Sequence, residues 1–123
     1  MTAPRATARS SDAELAYLLG ERRLGRLATA DAAGQPHAVP VGWSYNAELG
    51  TIDISGRRFA ATRKYRNAQV NPRAAFVVDD VLPPWRPRCV TVQGVVETVE
   101  APPGREALLR IHPRSIASGG LGS

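Results

Sequence analysis

At 123 residues and a net charge of +5, the chain suits one domain with a modest core and is short for two. Two Trp, three Tyr and two Phe are thin material for stacking on bases, and the basic residues do not form one tract, so general nucleic-acid binding is disfavoured. The lone Cys89 excludes an internal disulfide and a cysteine metal cluster, and no apolar run approaches the roughly 20 residues that span a bilayer.

The opening MTAPRATARSSD lacks the apolar centre of a secretion signal, so residues 1–10 are expected to form a loose tail on a cytoplasmic protein. Ser11 and Glu14 have capping-box spacing and open a predicted helix reaching about Arg23, with Leu15, Leu18 and Leu19 on its packed face. A strand follows over Leu24–Ala30, then a turn at Asp31–Gly34. Its predicted hairpin partner is Gln35–Tyr45. Pro36 and Pro40 remove ladder donors there, which demands a sheet edge or a bulge. Thr51–Ser55 alternates, placing Ile52 and Ile54 on one face and Asp53 and Ser55 on the other.

The next stretch carries the strongest chemical signal. Arg57, Arg58, Arg63, Lys64, Arg66 and Arg73 crowd together, and no Asp or Glu lies between Asp53 and Asp79. A helix is predicted over Phe59–Val70, stopped by Asn71-Pro72 because a residue preceding proline avoids the helical region. Unpaired backbone N–H groups at a helix start add their dipole to that charge, so the junction is read as a phosphate-holding site.

Arg73–Val81 reads as a strand buried on both faces, Leu82–Pro87 as a stiff loop, and Arg88–Glu100 as a long strand with a bulge or close approach at Gly94. Leu108–His112 and Ser115–Ser118 read as two closing strands separated by Pro113, and residues 119–123 as a flexible tail. Six or seven short antiparallel strands with two helices over residues 11–118 make a mainly β fold, a small split β-barrel. His37 reads as a surface or satisfied histidine. His112 lacks a second ligand for a metal, and Asp79 and Asp80 face opposite ways on a strand, so they make a poor acid–base pair. No nucleophile–base–orienter set is visible, which leaves hydrolase chemistry without support and fits an enzyme whose cofactor supplies the reaction.

The stretches LGRLAT (24–29), GQPHAVPVGWSY (34–45), GTIDISG (50–56), TRKYRN (62–67), NPRAAFVVDD (71–80), LPPWRPR (82–88) and RIHPRSI (110–116) resemble the pyridoxamine 5′-phosphate oxidase-like split β-barrel superfamily. VPVGW, NPR and VVDDVLPPW are similar to its subgroup that uses the deazaflavin coenzyme F420, related to tetracycline-pathway reductases. The resemblance implies a homodimer with the cofactor at the subunit interface, its phosphate held by Thr62, Arg63 and Lys64. It lays the ring on Val39, Pro40, Val41, Gly42 and Ser44 and on Ile54, Ser55 and Gly56. Trp85, in its Pro-rich loop, reads equally as a core or dimer-interface residue or as one lining the substrate side. Arg57 and Arg58 would extend the basic groove toward an anionic tail, favouring F420 over the alternative FMN. The implied activity is hydride transfer from F420H2 to a conjugated C=C or C=N, with the proton from Tyr45, Tyr65 or water. The alternatives are an FMN-dependent oxidase or reductase, and a non-catalytic F420-, heme- or biliverdin-binding protein.

Overall fold

The computed structural model describes residues 4–21 and 23–122, so the predicted tails 1–10 and 119–123 fall outside it at 1–3 and 123. Ser11 caps helix α1 (Asp12–Leu19) through the reciprocal pair Glu14 N–H to Ser11 Oγ at 3.2 Å and Ser11 N–H to Glu14 Oε1 at 2.8 Å. The helix stops at Gly20, short of the predicted Arg23, where the Gly20 amide closes a tight last turn on the Tyr17 carbonyl. Glu14, Tyr17 and Leu18 are its buried residues, Leu15 is half-buried, and Leu19 is left exposed.

Seven strands follow: β1 (Gly25–Ala30), β2 (Pro36–Val41), β3 (Ser44–Asn46), β4 (Thr51–Ser55), β5 (Arg73–Leu82), β6 (Arg86–Val99) and β7 (Leu108–Gly119). They form one antiparallel sheet in the order β2-β1-β5-β6-β7-β4-β3. The predicted strand over Gln35–Tyr45 is therefore two strands at opposite edges, joined only by Gly42 and Trp43. Trp43 enforces the break: its indole N–H donates to the Arg23 carbonyl at 2.7 Å, and its ring meets Phe76 edge-on at 5.2 Å. Two residues reach less than about 10 Å, so the sheet must curl until its edges nearly meet. The result is a mainly β split barrel. Pro36 and Pro40 sit on edge strand β2, where a missing N–H costs no ladder bond on the open side.

The concave face holds the core: Leu27, Ile52, Ile54, Phe76, Val78, Val90, Val92, Leu109 and Ile111 are all at most 1% exposed. The opposite face corrects the reading of β5 as buried on both sides. Ala75 and Val77 stay half-exposed because no described residue covers them, while Ala74 packs against the core.

β7 is one strand, not two. Between Gln93–Ser115 and Gly94–Pro113 the register skips Arg114, and this bulge absorbs Pro113 without breaking the ladder. Gly94 is required there, since a Cβ would lie 2.3 Å from the His112 carbonyl oxygen.

Candidate cofactor site

Beyond β4 the chain turns at Gly56–Arg58, runs through a 3-10 turn (Phe59–Ala61), extends at Thr62 and enters helix α2 (Arg63–Val70). The continuous helix predicted from Phe59 is thus broken at Thr62, whose φ of −81° and ψ of 156° make it the N-cap. Its hydroxyl donates to the Phe59 carbonyl at 2.7 Å and accepts from the Tyr65 N–H at 3.4 Å. The break moves the α-helical N-terminus onto Arg63 and Lys64, whose N–H groups, in the first turn, have no partner within the helix. Phe59 anchors the corner at 1% exposure, packed edge-on against Tyr65 at 5.7 Å. Lys64 is half-buried, with its ammonium 5.3 Å from the Phe59 ring centre, so its stem is held while the charge remains at the surface.

The charges are arranged unequally. Arg23 and Arg88 pair with Asp80, Arg26 with Asp79 and Arg110 with Asp53. Arg57, Arg58, Arg63, Lys64 and Arg66 form no ion pair among the described residues. Arg66 is turned aside to the Ala61 carbonyl at 3.2 Å. Arg58 holds a left-handed φ of 51°, uncommon for a residue with a Cβ, and the Glu106 carboxylate supports it by accepting from Arg58 N–H at 3.0 Å and Phe59 N–H at 3.3 Å. Glu106 is the residue that sequence reasoning missed. The contact spans 48 residues and follows no local motif. Free cations, first-turn N–H groups and a fixed helix start suit a phosphate.

The remaining candidates divide by exposure. Val41 and Ile54 point into the core, so only their backbone faces outward, and Val39 is half-buried against that core. Pro40, Gly42, Ser44, Ser55 and Gly56 are exposed. A Cβ on Gly42 would meet nothing within 4 Å, so open space lies in front of it. The seam brings the two sets together, because Ser44, two residues past Gly42, registers with Asp53 on β4. Trp85, 75% exposed, lies in the β5–β6 turn. That turn is at the far end of β5 from α2, about 30 Å away at strand spacing, so one chain does not bring Trp85 to Lys64. Tyr65 is a core residue and Tyr45 is half-buried. No cluster of three His, Cys, Asp or Glu suited to a metal occurs among the described residues, and no helix is long and apolar enough to cross a membrane.

Comparison with known proteins places this arrangement. The 5a,11a-dehydrotetracycline/5a,11a-dehydrooxytetracycline reductase of Streptomyces rimosus is 44% identical over 117 residues, covering 88% of this chain and 81% of the reductase. A conserved hypothetical protein of Mycobacterium tuberculosis superposes with a TM-score of 0.73 at 26% identity, over 98% of this chain and 91% of its own. A solved structure named F420 reductase shares the fold, with a TM-score of 0.64 at 21% identity over 83% of this chain and 94% of its own. The sequence also matches the family described as pyridoxamine 5′-phosphate oxidase over residues 11–117, within which every strand but the end of β7 lies, and the chain belongs to that family.

Proposed function

We propose that the protein is an F420H2-dependent reductase acting on a small conjugated molecule, working as a homodimer. The carrying observation is the corner at Thr62–Lys64, where cations without carboxylate partners meet the free N–H groups of a helix start. Arg63 and Lys64 hold the cofactor's phosphate, with Arg supplying paired donors and Lys a compact charge. Thr62 serves chiefly by fixing the helix start, since its hydroxyl proton is already committed to Phe59. Arg57 and Arg58 extend the cationic surface beyond what a single phosphate needs, which favours F420, with its phosphodiester and carboxylate tail, over FMN.

Pro40, Gly42, Ser44, Ser55 and Gly56 line the seam against which the ring rests. When bound, the reduced deazaflavin supplies a hydride to an electron-poor C=C or C=N. The 44% identity to a reductase acting on dehydrotetracyclines supports an oxidoreductase and makes a polycyclic enone the substrate class of first choice.

The second subunit covers the convex face of the sheet. Ala38, Ala28, Ala75, Gln93 and Ser115 form one row across β2, β1, β5, β6 and β7 through the registers Ala28–Ala38, Ala28–Ala75, Ala75–Gln93 and Gln93–Ser115. Five small or neutral side chains in line border an open depression, edged by Arg73 and Arg114, for a second copy to fill. Trp85 then belongs to the partner's site, the arrangement in which a residue remote from its own α2 can contribute.

Fluorescence titration of the purified protein with F420 and with FMN tests the cofactor. Saturable F420 binding is expected. Micromolar FMN affinity with no F420 response would transfer the assignment to a flavin enzyme, and tight F420 binding without single-turnover hydride transfer to any enone acceptor would leave a carrier protein.

A further inference from the structure

A second cavity, of about 520 Å3, lies at the opposite end of β4 from Ser55 and Gly56, enclosed by residues 4–10, α1, the β3–β4 turn and β7. The segment before α1 is held over it by two hydrogen bonds, from the Thr7 and Ala8 N–H groups to the Pro113 carbonyl at 2.8 and 3.1 Å. That carbonyl sits in the β7 bulge, so the irregularity at Arg114 is also what secures the cover.

The lining has a definite chemistry. Leu15, Leu49 and Tyr45 supply apolar walls, Arg5 and Arg9 bring two cations, and Glu48 a single opposing carboxylate. His112, 4% exposed, forms part of the wall, and its Nε2 lies 2.9 Å from Glu97 Oε1. A carboxylate can only accept, so the ring proton stands on Nε2 and leaves Nδ1 as an acceptor in the neutral imidazole. Nδ1 makes no hydrogen bond among the described residues, and His112 lines the cavity. An oriented imidazole nitrogen, apolar walls and a cationic mouth are what a hydroxylated aromatic acid requires. The hydroxyl donates to Nδ1, the ring packs between Leu15, Leu49 and Tyr45, and the carboxylate meets Arg5 and Arg9.

We propose that this cavity is a small-molecule site for a phenolic acid, separate from the cofactor corner and independent of the redox assignment. The test is calorimetric titration of the full chain with 4-hydroxybenzoate and with benzoate, which lacks the hydroxyl. One saturable site is expected, with benzoate weaker by about tenfold, the loss of one hydrogen bond at a buried acceptor. The double variant Arg5→Ala/Arg9→Ala changes only exposed side chains, so folding is spared, and it should weaken 4-hydroxybenzoate by about tenfold or more. His112→Gln should erase the difference between the two ligands, whereas Lys64→Ala, which alters the other corner, should leave 4-hydroxybenzoate affinity in place. Absence of saturable binding up to roughly 10 mM, full affinity in the double arginine variant, a ligand preference that survives His112→Gln, or loss of binding in Lys64→Ala would each overturn the proposal.

Discussion

Lys64 belongs to the proposed phosphate site. Its stem is half-buried and its ammonium lies over Phe59, so less rotamer freedom remains to be lost when a phosphate arrives. Lys64→Ala is expected to cost about 1.5–3 kcal/mol of cofactor affinity, the range for a charged hydrogen bond, with the fold unaffected. The comparison of wild-type and variant F420 titrations measures it, and equal affinities would place the phosphate elsewhere. Residue identity alone could suggest this cluster, because six cations without an intervening carboxylate are visible in the chain. Residue identity could not separate Arg66, which turns back to the Ala61 carbonyl, from its freer neighbours. Nor could it find Glu106, whose role depends on where a distant loop comes to rest.

At the scale of elements, Asp80 ties three of them together. From β5 it accepts hydrogen bonds from Arg88 on β6, from Arg23 ahead of β1 and from the Tyr17 hydroxyl on α1, while both guanidinium groups lie over the Tyr17 ring at 5.0 and 4.1 Å. Arg88's hydrogen bonds, aided by those from Tyr17 and Arg23, hold the Asp80 carboxyl far below its ordinary 3.8. Burial, and then the bond to Asp80, pushes the Tyr17 phenol up to about 12 from 10.0. A depressed carboxyl stabilises the fold fully above its unfolded value, and that contribution fades as pH falls below about 4. A raised phenol stabilises fully below its unfolded value and fades as pH rises from 10.0 toward 12. Urea denaturation across pH should therefore give a neutral plateau with losses on both flanks. Asp80→Asn should lower the plateau and flatten the acid flank, and an unchanged acid flank in that variant would remove Asp80 from the account. The partners of Asp80 lie as far as 63 residues away, so its opposite-facing neighbour Asp79 was readable from alternation while this three-way tie was not.

On the scale of the whole molecule, the convex face decides whether the proposed site is complete. Its central row runs through Ala75, half-buried and flanked by Ala28 and Gln93. Ala75→Arg places a charge where a second copy would pack. It should convert a dimer to a monomer by light scattering and sharply weaken F420 binding, since the proposed site spans two chains. A monomeric wild type, or a variant that stays dimeric, would exclude this face as the interface.

What the sequence determined by itself was local. The Ser11–Glu14 cap, the alternation of Thr51–Ser55, the edge or bulge required by Pro36 and Pro40, the stop at Asn71-Pro72 and the concentration of cations all follow from backbone sterics, period and composition over a few residues. Only the tertiary structure decided that Trp43 splits one run into opposite edge strands, and that Thr62 moves the helix start onto Arg63 and Lys64. The same holds for the bulge at Arg114, which keeps β7 continuous. The Thr62 cap is local, bonding Phe59 and Tyr65, but the other two depend on a partner far away in the chain: the Arg23 carbonyl for Trp43 and the Gly94 backbone for the bulge. Such contacts exist only once the sheet has curled, which is why no window of sequence displays them.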